Sequence, residues 1–450
     1  QDYGLLYFAL SVLGIASFLG QLGLPNATAR YVTEYAQREP GQLPHLLRRT
    51  TIYLLVLAAV VGVVLVAAND LVAGLLGEPD LAPFLALGAF YVAFRAGYSY
   101  LYRVFQGFNR VTISAALSAL NGVVRAVFAV GLVLVGLGAL GALVGYVAGY
   151  ALAAVVGLVA LYGLYYRRID AADRIEEGLS RRVAEYSVPT TATEASVILD
   201  SKVDTVLVGA LLSSTAVGYY TIAAQVAELT IAPAQSLGFT ISPALGEQKA
   251  EDRIERASRI YETSLEHVLA LYVPAGVGIV LVADPAIRTV FGEAYAGAIP
   301  ALQVFGLLTI VRAIHKVTGS GLDYLGLARI RAMARGTTAV ANVGLNLALI
   351  PIYGVVGAAF ATLVTYTAYT AVNVYYIARE LDLRTERILG TAARISAVSA
   401  VMAGVVFLAL PHVSGLATLV GTIALGGSVA VVLSVATGVL DVARVRALLL

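Results

Sequence analysis

The chain has 450 residues, of which 59% are hydrophobic and 13% charged, with a formal net charge of +2 and a mean hydropathy of +0.84. Soluble domains use roughly 45–50% apolar and about 25% charged residues, so this composition excludes a soluble globular protein, and a near-neutral balance carries no message about nucleic acid. The absence of cysteine excludes disulfides and thiolate metal sites, and the four histidines (His45, His267, His315, His412) lack metal-ligand spacing.

A bilayer crossing needs about 20 predominantly apolar residues. The stretches 52–68 and 126–164 contain no charge, and the second is nearly long enough for two crossings. Charged clusters divide the chain into thirteen apolar segments: 3–26, 51–76, 82–105, 112–136, 139–166, 183–211, 216–245, 258–283, 298–324, 334–352, 355–378, 388–410 and 415–440. The chain opens at Gln1, close to an apolar segment and with no basic stretch before it, so no signal peptide is read. The joins alternate in character. One set is basic, at 30–49, 103–110, 167–182, 249–259, 329–335, 379–387 and 444–446. The other is short and nearly uncharged, or acidic as at 70–80. The first set holds most of the 30 Lys and Arg residues and the second only Arg288. Cytoplasmic loops attract Lys and Arg, so the basic joins are expected in the cytoplasm of a multi-pass protein of the cell membrane.

The chain reads as an internal repeat. "YGLLYFA" (3–9) is similar to "VGYYTIA" (217–223), "QGFNR" (106–110) to "LGLAR" (325–329) and "GALGAL" (138–143) to "GVVGAA" (354–359). The separations agree within a few residues. Parallel repeats of this kind mark transporters, whose substrate path usually lies between the halves. The expected organisation is an N-terminal transmembrane lobe (1–166), a basic linker acting as a hinge (167–182), a C-terminal lobe (183–380) and a terminal helix pair (381–450).

Ionisable groups at bilayer depth cost about 2.5–3.5 kcal/mol or more and usually face a bundle interior or a wet cavity. Arg312, Lys316 and Asp323 share one face of their span. Like charges one turn apart repel, so something anionic belongs beside them, either a protein carboxylate such as Glu228 or an anionic ligand. Tyr91, Arg95, Tyr98 and Tyr102 share a face of span 82–105, and Arg125 on the next span is expected to join Arg95. Arg95 precedes "QGFNR" much as Arg312 precedes "LGLAR". Aromatic faces suit sugar rings, although the same stripe also suits helix packing. Thr362, Tyr366, Tyr369, Asn373 and Tyr376 form a similar polar stripe, for substrate or for joining helices. Asp200 and Asp204 share a face with Thr193, with Lys202 directed away, an arrangement for sodium or a shared proton.

The motifs "GLPNATARYVTEY" (23–35), "VDTVLVG" (203–209), "VFGEAYAGA" (290–298) and "NVGLNLALIPIYGVVGAAFAT" (342–362) resemble Wzx-type oligosaccharide-lipid flippases of the multidrug/oligosaccharidyl-lipid/polysaccharide superfamily, over essentially the whole chain. The resemblance implies an all-α polytopic fold of two six-helix lobes with pseudo-two-fold symmetry plus a terminal pair. About thirteen helices are present and the family's first is missing. It implies a monomer without enzymatic activity that moves a polyprenyl-(di)phosphate-linked oligosaccharide, amid membrane lipids, from the cytoplasmic to the outer leaflet by alternating access. Substrate contact is expected at Arg30 (a carry-over from the first motif), Arg95, Tyr98, Tyr102, Arg125, Arg312, Lys316, Tyr366 and Tyr369. Some relatives bind sodium through an Asp, two polar residues one turn apart and a hydroxyl; Asp204, Asn342, Asn346 and Thr362 match that pattern. Asn346 stands where some members have Asp, which lowers the charge of the site, and the same residues also suit a plain interhelical hydrogen-bond cluster. No other cofactor is implied; coupling to sodium or protons is the expectation.

Two rivals differ in class. A multidrug/cation antiporter of the same fold would need an acidic pocket, whereas the candidates here are largely basic. A membrane glycan polymerase or glycosyltransferase would need a catalytic segment, and the acids near 69–82 have no base or metal set beside them.

Overall fold

The structure, a computed structural model, describes residues 2–439. The basic cluster expected at 444–446 lies outside them, as does the side chain of Asp200. Helices occupy nearly all of the described chain, because long apolar runs leave backbone groups no partner in lipid except their own helix. Contacts divide the chain into two compact units, Gln1–Val217 and Gly218–Leu450.

The first unit contains α1 (Asp2–Leu19), α2 (Leu24–Arg38), α3 (Leu43–Ala67), α4 (Asn69–Leu75), α5 (Ala82–Gly107), α6 (Val111–Leu132), α7 (Gly138–Leu161), α8 (Leu179–Ile198) and α9 (Asp204–Leu211). α5 is its axis: α1, α2, α3, α6 and α7 all pack on it. α6 and α7 form a hairpin that turns through Gly136 (φ 95°) and Gly138 (φ 52°, ψ −143°). Their backbones meet closely because α7 presents glycine at successive fourth positions. A Cβ at Gly145 would lie 2.4 Å from the Ala129 amide, and one at Gly149 would lie 2.8 Å from the Asn121 carbonyl. α8 and α9 pack on α1 and α2, which carries this unit past the basic linker.

Beyond α10 (Ser214–Leu229), which bears the division, the second unit contains α11 (Ala232–Ala250), α12 (Ile254–Val290), α13 (Ile299–Tyr324), α14 (Ala328–Leu381), α15 (Thr385–Ala409) and α16 (Leu416–Ala436). α11, α12 and α14 pack on α13, and α15 and α16 pack on α12. Tyr261, Tyr272, Leu245, Val317, Ile377 and Ile395 form its core. α14 is itself a hairpin, reversed at Gly354 (φ 59°, ψ −138°). That conformation matches Gly138 in the first unit, and only glycine adopts it readily.

The repeat is therefore written into the backbone. Gly77 (φ 71°) and Gly292 (φ 90°) end corresponding helices, and Asn109 (φ 57°) and Gly326 (φ 82°) close α5 and α13. At these last two turns the amides of Arg110 and Leu327 donate to Phe105 and Leu322. This pairing shifts the "QGFNR"/"LGLAR" correspondence by two residues: Phe108, not Gln106, stands where Leu325 does.

Three expected spans are corrected. The span 3–26 ends at Leu19 and 216–245 is interrupted after Leu229; each resumes in a helix with proline in its first turn, Pro25 and Pro233. Proline has no N–H to donate and its ring collides with the carbonyl four residues back, so it starts helices and interrupts them. The span 51–76 stops at Ala67, with α4 following separately. Among the described residues nine stretches are long and apolar enough to cross a membrane, and two of them, 111–166 and 328–381, are the hairpins. Val60, Val63 and Val64 on α3, Val127 on α6 and Val431 and Val432 on α16 are all more than half exposed. Apolar surface in water costs about 25 cal/mol per Å², so faces of this extent belong in lipid.

Candidate substrate-binding clusters

In the first unit α5 turns Tyr91, Arg95, Tyr98 and Tyr102 toward α7, as their spacing predicts. Arg95 Nη1 donates to the Tyr91 hydroxyl at 2.9 Å and its guanidinium lies 5.6 Å from the Tyr91 ring centre. Tyr150 of α7 contacts both Tyr91 and Tyr98, with centroids 5.5 Å apart in each pair, and Tyr98 meets Tyr102 at 6.0 Å. Arg125 of α6 sits 5.0 Å from the Tyr146 ring centre. Tyr146 lies one turn before Tyr150 on α7, so Arg125 and the Tyr91–Arg95 pair meet neighbouring tyrosines of one helix. Tyr146 and Tyr150 were not among the expected residues, although their one-turn spacing on an uncharged span was a readable signal. Among the described residues the ion pairs of this unit lie elsewhere, on α2, on the linker and at the start of α8.

Those ion pairs tie α2 to the linker and to the start of α8. Arg182 donates to Glu34 at 2.8 Å and to Glu176 at 2.6 Å, and the Tyr31 hydroxyl donates to the Arg182 carbonyl at 3.0 Å. The Tyr35 hydroxyl donates to Glu176. Burial and this hydrogen bond hold the Tyr35 proton well above the ordinary tyrosine range, with Arg182 opposing. Gln42 ties down the linker further, through the Arg174 carbonyl and the Glu176 amide. Arg30 stacks 4.2 Å from the Tyr186 ring centre. It lines an open cleft of about 680 Å³ with Thr33, Glu34, Gln37, Arg38 and Arg182.

In the second unit the cations meet carboxylates. Arg312 Nη1 donates to Glu228 at 3.0 Å, so a protein carboxylate does sit beside it, while its guanidinium also lies 5.5 Å from the Tyr366 ring centre. Asp323 pairs with Arg331 of α14. Lys316 is half-buried and makes no ion pair among the described residues. Buried His315, three residues after Arg312 and so on its face, was missed because histidine was read only for metals. Its ring centre lies 5.3 Å from that of Tyr366 and 4.6 Å from that of Tyr369, and Asn373 contacts its Nδ1 at 3.4 Å. Tyr376 packs on the apolar core instead.

Of the expected cation set, Asn346 Nδ2 donates to Asn342 Oδ1 at 3.0 Å and to the Asn342 carbonyl at 2.9 Å. Asn342 in turn donates to Thr365 at 3.2 Å, and Thr362 bonds back to Ala358 of its own helix. Thr365 thus joins a cluster in which it was not expected. Asp204 is buried at the start of α9 in the first unit.

Known proteins agree with this architecture. Residues 1–245 match the family described as polysaccharide biosynthesis protein, and residues 189–348 match MatE. The chain belongs to the polysaccharide biosynthesis protein family, the polysaccharide branch of the superfamily whose motifs it carries. It is 26% identical over 242 residues to the probable low-salt glycan biosynthesis flippase Agl15 of Haloferax volcanii, covering 54% of this chain and 49% of that protein. It is 29% identical over 171 residues to the probable flippase AglR of the same organism, covering 37% and 36%. The matches thus span less than half the length of these relatives. In fold it is similar to the lipid II flippase MurJ in an inward closed conformation, with a TM-score of 0.72, 14% identity and coverage of 96% and 92%.

Proposed function

We propose that the chain is a flippase that carries a polyprenyl-(di)phosphate-linked oligosaccharide from the cytoplasmic to the outer leaflet by alternating access, without catalysing a covalent step. The carrying observation is the placing of Arg95 and Arg125 on tyrosine faces among apolar helices, apart from the ion pairs found among the described residues of their unit. Guanidinium groups in a poorly solvated site bind phosphate oxygens strongly, and tyrosines offer sugar rings a flat apolar surface with a hydroxyl at its edge. Membership in a polysaccharide biosynthesis family, with relatives named as glycan flippases, supports the same reading.

The rest of the assignment follows from it. Arg312, Lys316, Tyr98, Tyr102, Tyr366 and Tyr369 contact the substrate during the cycle, and Arg30 meets it at the cytoplasmic mouth. The lobes are 1–166 and 183–380, joined by the linker 167–182 and followed by the pair 381–450, acting as a monomer in the cell membrane with the basic joins in the cytoplasm. A sodium ion or proton drives the cycle if it binds one access state better than the other, with Asp204 of the first unit and Asn342, Asn346 and Thr362 of the second each a candidate for that coupling. A second reading, a drug exporter, is favoured by the MatE match. The test is complementation: a strain lacking the chain should lose surface glycan, regain it with the wild type, and show sodium-dependent export that Asp204→Asn abolishes. Normal glycan in the deleted strain, with altered drug sensitivity, would overturn the flippase reading in favour of the exporter.

A further inference from the structure

Helix α8 belongs to different halves by sequence and by contact. It precedes residues 217–223, which repeat 3–9 of α1, so it opens the second half of the chain. Yet it packs on α1 and α2 and falls within the first unit. The seam between α8 and α2 is polar along its length. Asn26 donates to Glu194 at 2.5 Å, Arg30 stacks on Tyr186 and the Tyr31 hydroxyl reaches the Arg182 carbonyl. Arg182 makes the most bonds here, to Glu34, to Glu176 of the linker and to the Tyr35 hydroxyl at 3.2 Å. A Cβ at Gly23 would lie 2.4 Å from Thr190 Oγ1 and 2.7 Å from the Ser187 carbonyl, so the two helices meet there at the level of the backbone. Of the side chains of α8, only Leu179 and Val183 are buried. The comparable seam of the second unit differs. α15 follows the second hairpin as α8 follows the first, and it too is held by ion pairs, Arg384–Glu262 and Arg387–Glu266. But α15 also buries Ile395, Val398, Met402 and Val406.

We infer that the α2–α8 seam is a latch that parts and recloses, with Arg182 as its principal fastening, while the α12–α15 seam stays shut. Apolar burial is lost outright when a seam parts, whereas polar groups recover most of their bonding from water. A seam of hydrogen bonds and ion pairs therefore separates at little net cost, and one built on Ile395 and Met402 does not. α8 also has places to bend. Pro189 stands inside it, and a π-helical turn follows at Leu199–Val203. Proline leaves the carbonyl four residues earlier without its donor, and both features are usual sites of helix kinking. The inference rests on the flippase reading for its purpose, the alternate opening of the end where the basic joins 30–49 and 167–182 lie; the latch itself is a property of the first unit.

The chain has no cysteine, so introduced thiols are its only reactive ones. Ala36→Cys and Ala184→Cys, both at exposed positions, carry spin labels in the full chain in lipid nanodiscs. Two distance populations should appear. Arg182→Ala should shift their ratio toward the longer distance by about tenfold, the effect of losing a partly exposed charged pair, and the milder Glu34→Gln should shift it the same way by less. A single distance unmoved by either substitution would overturn the latch. In cells, Asn26→Cys with Glu194→Cys, joined by a short reducible thiol crosslinker, should stop glycan export, and reduction should restore it. Glu266→Cys with Arg387→Cys, joined likewise across α12 and α15, should export at the same level before and after crosslinking; loss of export there would overturn the contrast between the seams. Export that continues through the α2–α8 crosslink would overturn the latch and leave the flippase reading standing. Two populations that respond to Arg182 in a chain that exports no glycan would sustain the latch and defeat the flippase reading.

Discussion

Arg95 and Arg312 occupy corresponding places on the axial helices of the two units, each about four turns before the turn that ends its helix, yet their surroundings differ. Arg95 leans on Tyr91, while Arg312 is held by Glu228 as well as facing Tyr366. A tyrosine face attracts a desolvated cation by up to about 2 kcal/mol and leaves its charge uncancelled. A carboxylate cancels it. The two units have kept one scaffold, with matching turns at Gly138 and Gly354 and matching interruptions before Pro25 and Pro233, and have parted in chemistry. On the proposed function, an arriving phosphate would bind the first unit directly but would compete with Glu228 in the second.

The largest expected effect tests this division of labour. Arg95→Ala should lower glycan export about a hundredfold, the upper range for loss of one hydrogen bond to a charged group. Arg312→Ala should lower it about tenfold or less, because Glu228 already offsets that charge. Surface glycan per unit of membrane protein is the readout, and equal losses would break the comparison. The hairpins come next. Gly138→Ala and Gly354→Ala should each cost about 1–3 kcal/mol, since alanine resists this backbone conformation, read as thermal unfolding in detergent. Tolerance of one and not the other would deny that the two turns are equivalent.

A smaller effect is expected from the Arg312–Glu228 pair itself. Glu228 is 60% exposed, so a double-mutant cycle with Arg312→Gln and Glu228→Gln should return about 1 kcal/mol or less; a coupling several times larger would make this pair a principal fastener of its unit. The smallest concerns the linker. The Tyr35 pKa is raised by burial and by Glu176, so the folded state favours the neutral hydroxyl. That contribution is present below the unfolded value near 10 and is lost only as pH rises through the folded value. Protease resistance of the linker should therefore be the same at pH 7 and pH 9, and Tyr35→Phe should reduce it modestly at both.

Much of the fold could be read in advance. The spans at 82–105 and 298–324 fall within two residues of α5 and α13, because long apolar runs between charged joins leave few alternatives. The faces carrying Arg95 and Arg312 followed from helical spacing alone. The prolines at 25 and 233 were passed over because the apolar pattern continues through them, although a ring without an N–H overrides hydrophobicity at that point. Lys202 was judged only against its own helix; its stem lies against Gly14 of α1, far away in the chain.

The sequence by itself determined that this chain is an all-helical membrane protein and that its halves repeat, since hydrophobic length and backbone hydrogen bonding admit few other solutions in lipid. Only the tertiary structure decided which charges have partners. Whether a cation meets a tyrosine or a carboxylate depends on which helices pack together, and that is set by contacts such as Gly149 against Asn121 and Gly209 against Phe8, where the absence of a side chain lets two segments approach.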